Sequence, residues 1–257
     1  TSSFSCNNDL INQLQHNIIW GHKGNFVDVP TDCPQRDERL GWTGDAQVFA
    51  PTSCFNMQSA AFWTKWLYDL EADQHEDGAV PHVIPNVLAR GGSSGWADAA
   101  VIVPWVLYHS YGDVRILERQ YSSMKKWVEF MREKSGDSYI YIPEDRQFGD
   151  WLSFATTRSD YPGATTDKDF LSTAYYYHSV NLLRQISEIL GKNEEAADYA
   201  ELGKKIKAAF NKEYVTPNGR LSSNTQTAYV VALAFGLMPE EMEQNAAERL
   251  AADVRQF

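Results

Sequence analysis

The stretch from Asp32 to Asp45 reads Asp32-Cys33-Pro34-Gln35-Arg36-Asp37-Glu38-Arg39-Leu40-Gly41-Trp42-Thr43-Gly44-Asp45 and is the densest polar segment of the chain. It holds four carboxylates, two arginines and a tryptophan. Crowded carboxylates raise the proton affinity of one member by mutual repulsion, and a carboxyl group kept protonated near neutral pH is what a glycosidase uses to protonate a leaving oxygen. Arg36 could hold a neighbouring carboxylate ionised or bind a sugar hydroxyl, so position alone does not say which carboxylate is the acid. The plain alternative is a solvated loop laced with salt bridges. Two features weigh against it. Gly41 and Gly44 bracket Trp42 and Thr43 as though holding an aromatic ring at a set angle, and Asp45 sits where it could cap a following helix.

Other groupings are weaker. Cys6, Cys33 and Cys54 are odd in number and have no CxxC spacing, so unpaired thiols are expected. Cys33 lies inside the acidic segment but lacks an obvious histidine partner for nucleophilic use. His75 and His82 flank a loop containing Glu76 and Asp77, yet their spacing fits no standard ligand pattern. Neither a metal nor a cofactor is expected.

The elements that must position these residues read as helices nearly everywhere, which points to an all-α fold. Leu10, Leu14 and Ile18, with Ile11 and Ile19, make the apolar face of a first helix ending near Gly21 to Gly24. Residues 44–74 read as helical with a break near Pro51, and Phe62, Trp66 and Leu70 recur every four residues in the second part. Helix pairs follow at about 97–111 and 114–134, 169–190 and 194–211, and 225–235 and 240–256, with residues 135–166 as a loop. Trp20, Trp63, Trp66, Trp105 and Trp127 fall within helical stretches and read as core. Short turns alternate with long aromatic and acidic loops. That is the pattern of an α/α toroid whose long loops build a site on one face. Four pairs and a leading helix fall short of the roughly six hairpins such a barrel needs.

Composition narrows the functions. With 43% hydrophobic residues the chain can bury a substantial core, and the eight tryptophans could serve that core or a sugar-binding cleft. A formal net charge of -11 repels phosphate backbones, which excludes nucleic acid as an expected partner. No apolar run approaches the roughly 20 residues that span a bilayer. The N-terminus also lacks the pattern of a signal peptide. The charges of 194–207 and 240–255 read as solvated helix faces.

The acidic segment resembles the signature loop of glycoside hydrolase family 78, the inverting α-L-rhamnosidases, whose catalytic domain is an (α/α)6 barrel. The resemblance implies that Glu38 is the general acid and that Asp32, Arg36, Trp42 and Asp45 bind the sugar. It continues through Gly95-Trp96-Ala97-Asp98, Phe148-Gly149-Asp150-Trp151-Leu152 and Asn224-Thr225-Gln226-Thr227-Ala228-Tyr229, which follow in the family's order. Trp96 and Trp151 would then cover the apolar faces and methyl group of rhamnose, while Asp98 and Asp150 accept its hydroxyl protons. On this resemblance, residues 1–257 are the N-terminal and middle part of the barrel domain, acting on a rhamnose-containing glycoside or polysaccharide. Inversion needs a second carboxylate as base. Nothing after Tyr229 resembles its surroundings, so the base is expected beyond Phe257 and the chain by itself is expected to be inactive. Two alternatives stay open: another (α/α)6 glycosidase, and a non-catalytic sugar-binding module or scaffold.

Overall fold

The computed structural model describes residues 3–144, 146–153 and 163–256. Among them the regular structure is helical, with only isolated bridges such as that between Trp42 and Val83. The helices are α1 (Asp9–Asn25), α2 (Thr43–Asn56), α3 (Ala60–Asp73), α4 (Ala99–Tyr111), α5 (Arg115–Ser135), α6 (Lys168–Ile189), α7 (Asn193–Tyr214), α8 (Gln226–Ala234) and α9 (Glu240–Val254). They fall into two compact units: Thr1–Gly92 with Trp96–Trp127, and Ser93–Gly95 with Val128–Phe257. The expected helix 240–256 is α9, which ends at Val254, and the expected loop 135–166 is seen only in part, because 145 and 154–162 lie outside the described residues.

In the first unit, α2 and α3 both pack on α4. The expected break at Pro51 is absent, since α2 runs through it to Asn56. An interior proline removes a backbone hydrogen bond and costs about 3 kcal/mol. The buried stripe Thr43, Ala46, Gln47, Ala50, Ser53 and Asn56 recurs at helical spacing through that point. Packing along this stripe outweighs the local signal. Trp63, Trp66, Leu67 and Leu70 of α3 are fully buried, and the Trp63 indole donates to Ser53 Oγ at 2.6 Å.

Helix α1 is started by Asn8, whose side chain accepts from the Leu10 and Ile11 amides. Its apolar face does not form core. Leu10, Ile11, Leu14 and Trp20 are exposed, Ile18 and Ile19 are half-buried, and His22 is the buried residue of the helix. The periodicity is helical as read, but Leu10, Ile11 and Leu14 on that face stay exposed. Trp20 is instead approached by Lys23, 4.8 Å from its ring centre. Trp105 is half-buried against Tyr108 and His109, whereas Trp63, Trp66 and Trp127 are core.

In the second unit, α6 and α7 form a tight hairpin, and α8 packs on both α9 and α6. Phe170, Phe210, Tyr214, Leu221, Tyr229 and Met238 lie in one buried cluster at this junction. Asp167 caps α6 through the Phe170 amide and Thr225 caps α8 through the Ala228 amide.

Candidate active site

The acidic segment folds onto Asp32. The Asp32 amide donates to the Leu40 carbonyl at 2.9 Å, and the Leu40 amide donates back to Asp32 Oδ1 at 2.9 Å, closing residues 33–39 into a loop. Arg36 then spans two carboxylates, with Nη2 at 2.7 Å from Asp32 Oδ2 and Nε at 2.9 Å from Glu38 Oε2. The other Glu38 oxygen, Oε1, accepts from the Trp42 indole at 2.8 Å. Both oxygens of Glu38 are thus held by separate donors, while its side chain keeps 35% of its surface exposed. Asp32 is nearly closed off, and Asp37 points into solvent beside Arg39.

The two glycines act by close approach. The segment Gly41–Thr43 pairs with His82–Ile84 through Thr43 N to His82 O and Ile84 N to Gly41 O, each 2.9 Å. A side chain on Gly41 would run into the Ile84 carbonyl. At Gly44 a Cβ would lie 2.7 Å from the Trp96 indole, so Trp96 packs directly on the start of α2. The loop that carries Glu38, the Trp42 ring and the Trp96 ring is therefore assembled within the first unit.

Asp45, in the first turn of α2, lines a cavity of about 440 Å³ together with Asp32, His22, Phe26 and Phe49. It keeps exposed surface, but the walls displace bulk water from its carboxyl. This desolvation raises its proton affinity above the usual carboxylate range. Its own amide opposes the rise, the Asp32 and Glu38 charges add to it, and Arg36 subtracts from it. Cys33 Sγ and the oxygens of Asp32 and Glu38 lie within 4.8 Å of one another, a spacing that could hold a metal ion. The Arg36 guanidinium already bridges the two carboxylates and supplies the positive charge there. The three cysteines are unpaired. His75 pairs with the Asn86 side chain at 3.1 Å.

Asp98 and Asp150 differ from their expected role as acceptors for sugar hydroxyls. Asp98 is fully buried at the start of α4, and its Oδ1 accepts from the Trp127 indole at 3.0 Å. A carboxylate without exposed surface holds its protein donor rather than a ligand. Asp150, in the second unit, accepts from the amides and hydroxyls of both Thr165 and Thr166. Trp151 beside it remains 38% exposed, with its ring centre 6.4 Å from that of Phe148. Thr165, Thr166 and His22 were missed from sequence. The signal for the threonines was two hydroxyl residues immediately before the capping Asp167.

The whole chain, residues 1–257, matches the family model described as the bacterial alpha-L-rhamnosidase six-hairpin glycosidase domain. An alpha-L-rhamnosidase of Formosa agariphila is 45% identical over 96% of the chain and 27% of the relative. The crystal structure of Streptomyces avermitilis alpha-L-rhamnosidase complexed with L-rhamnose is 43% identical and superimposes with a TM-score of 0.88, over 99% of this chain and 24% of that one. The native Aspergillus terreus enzyme superimposes with a TM-score of 0.91 at 42% identity, covering 99% of this chain and 30% of that one. The chain thus spans about a quarter of the length of the curated relatives it matches.

Proposed function

The chain belongs to the bacterial alpha-L-rhamnosidase six-hairpin glycosidase family, and from that premise we propose that it supplies the proton-donating part of an enzyme that hydrolyses terminal α-L-rhamnose with inversion. The observation that carries this reading is the state of Glu38: each oxygen is fixed by a different N–H donor, yet the group stays accessible. The two donors fix the orientation of the carboxyl, and its accessibility lets it meet the glycosidic oxygen and exchange protons with solvent between turnovers.

The neighbouring groups divide the remaining work. Arg36 sets Glu38 and neutralises Asp32, whose oxygens are taken up by Arg36 and the Leu40 amide. Trp42 and Trp96 offer flat apolar surface to a deoxy sugar. Asp45 has a raised proton affinity and opens on a cavity, which suits it to a sugar hydroxyl, either donating or accepting. Trp151, exposed within the second unit, is the further ring that the family resemblance assigns to the sugar. Inversion also requires a carboxylate that activates water on the opposite face of the ring. Asp32, Asp98 and Asp150 are poor choices for that base, since each is engaged by protein donors. The binding of L-rhamnose by the Streptomyces avermitilis relative supports rhamnose as the sugar recognised.

The test is to incubate the full natural protein with a panel of aryl glycosides and follow the first product by proton NMR. Release from the α-L-rhamnoside with β-L-rhamnose appearing first is expected. Release of α-L-rhamnose first would overturn inversion, and cleavage only of another sugar would overturn the substrate.

A further inference from the structure

Asp150 is a carboxylate with all of its acceptor capacity used. Oδ1 accepts from the Thr165 amide at 2.7 Å and the Thr166 amide at 3.0 Å. Oδ2 accepts from the Thr165 hydroxyl at 3.0 Å and the Thr166 hydroxyl at 2.7 Å. An ionised carboxylate has about four lone-pair sites, so this set leaves none for a sugar hydroxyl.

The donors lead onward in one direction. Thr166 Oγ1, having given its proton to Asp150, can accept from Thr225 Oγ1 at 2.6 Å, and Thr225 Oγ1 in turn accepts from the Ala228 amide at the start of α8. Ser153 Oγ lies 3.0 Å from Thr165 Oγ1, and the Ser153 amide donates to the Asp150 carbonyl. One carboxylate therefore joins the turn at residues 149–153 to the N-terminal ends of both α6 and α8.

That turn needs holding. Trp151 stands between Gly149 and Leu152, at φ of 66° and 68°, and a leucine in the left-handed region is strained. A Cβ at Gly149 would meet Ala164 Cβ at 2.8 Å, so the two ends of the segment are pressed together as well as hydrogen-bonded. Burial pushes the Asp150 carboxyl up, but the Thr166 and Thr165 donors outweigh it and hold it below the usual carboxylate range.

We propose that Asp150 is a positioning residue: it locks the Trp151 turn to α6 and α8, and so fixes the ring that Trp151 presents to the sugar, without touching the sugar itself. This rests on the reading of Trp151 as part of the rhamnose site. The consequence is an energetic dependence of one residue on the other. If Asp150 acts only through Trp151, its removal matters only while Trp151 is present.

The experiment measures KM and kcat for an aryl α-L-rhamnoside in the full natural protein carrying Trp151→Ala, Asp150→Ala, both changes, or Asp150→Asn. Each single alanine change should raise KM about tenfold, with a smaller change in kcat. The double variant should stay within about twofold of Trp151→Ala. Asp150→Asn should recover to within about threefold of the native KM, because its carbonyl still accepts from an amide and the threonine hydroxyls can turn to accept from its NH2. Where Asp150→Ala does not fold, Thr166→Val takes its place, and its KM effect should likewise vanish in the Trp151→Ala background. Multiplication of the two single effects would mean that Asp150 binds sugar on its own account and would overturn the proposal. A native KM in Asp150→Ala would overturn it too. A native KM in Trp151→Ala would instead remove Trp151 from the rhamnose site, and the proposal would fall with that premise.

Discussion

Gly44→Ala isolates the contribution of the Trp96 ring. The new Cβ would lie 2.7 Å from both Cε2 and Nε1 of the indole, nearly 1 Å inside ordinary van der Waals contact. The obstacle is a rigid ring rather than a flexible chain end, so either the ring or the start of α2 must shift by most of that distance. Overpacking of this kind costs about 1 to 3 kcal/mol. Alanine in place of glycine in a helix returns up to about 1 kcal/mol, leaving a net stability loss of about 0 to 3 kcal/mol. The ligand effect is separable. A stacked tryptophan contributes about 1 to 3 kcal/mol to holding a sugar. A displacement of 0.5 to 1 Å forfeits about a quarter to a half of such contact energy. L-rhamnose affinity should therefore fall about 1.5- to twelvefold, measured by titration calorimetry on the full natural protein. Gly24→Ala in exposed α1, where a Cβ meets nothing within 4 Å, is the control and should leave affinity unchanged. Loss of melting temperature in Gly44→Ala with native rhamnose affinity would refute the placement of Trp96 at the sugar.

Trp127→Ala removes a fully buried indole and the N–H that it gives to Asp98, so thermal denaturation should show a loss of about 3 to 5 kcal/mol. Its rhamnose affinity, where the variant folds, should change less than that of Trp42→Ala. His178, stacked on Phe235 with ring centres 4.0 Å apart, has its pKa pushed down to about 4 by burial. The unfolded chain therefore binds this proton first, and stability should decline as pH falls from about 6.5 towards 4. Urea midpoints at a series of pH values should show this decline, and His178→Asn should flatten it; an unchanged slope would assign it to other groups.

The acidic loop was legible because its chemistry is local. Asp32, Arg36, Glu38 and Trp42 contact one another at separations of two to four residues of sequence, so density of residue types already implied a cluster. The glycines were legible as constraints, although their partners Ile84 and Trp96 are distant in sequence. The helix pairs followed from periodicity. What periodicity cannot carry is the identity of the covering surface. Leu10, Leu14 and Trp20 have helical spacing and are nonetheless exposed. Pro51 is a strong local breaker, but the stripe of buried small and polar residues along α2 outweighs it. Asp98 and Asp150 each stand beside a tryptophan, which reads as a sugar site. Their actual donors, Trp127 and the Thr165–Thr166 pair, lie 15 to 29 residues away and leave no mark next to them.

The central claim is that Glu38 gives the proton to the departing oxygen. Glu38→Gln keeps the size and an acceptor for Trp42 or Arg36 but has no acidic proton. In the full natural protein, kcat/KM should fall by about three orders of magnitude or more for a rhamnoside with a poor, alkyl leaving group. It should fall much less for an activated aryl rhamnoside, whose phenolate departs without protonation. Unchanged hydrolysis of the alkyl rhamnoside by Glu38→Gln would contradict the account and remove Glu38 from the acid role.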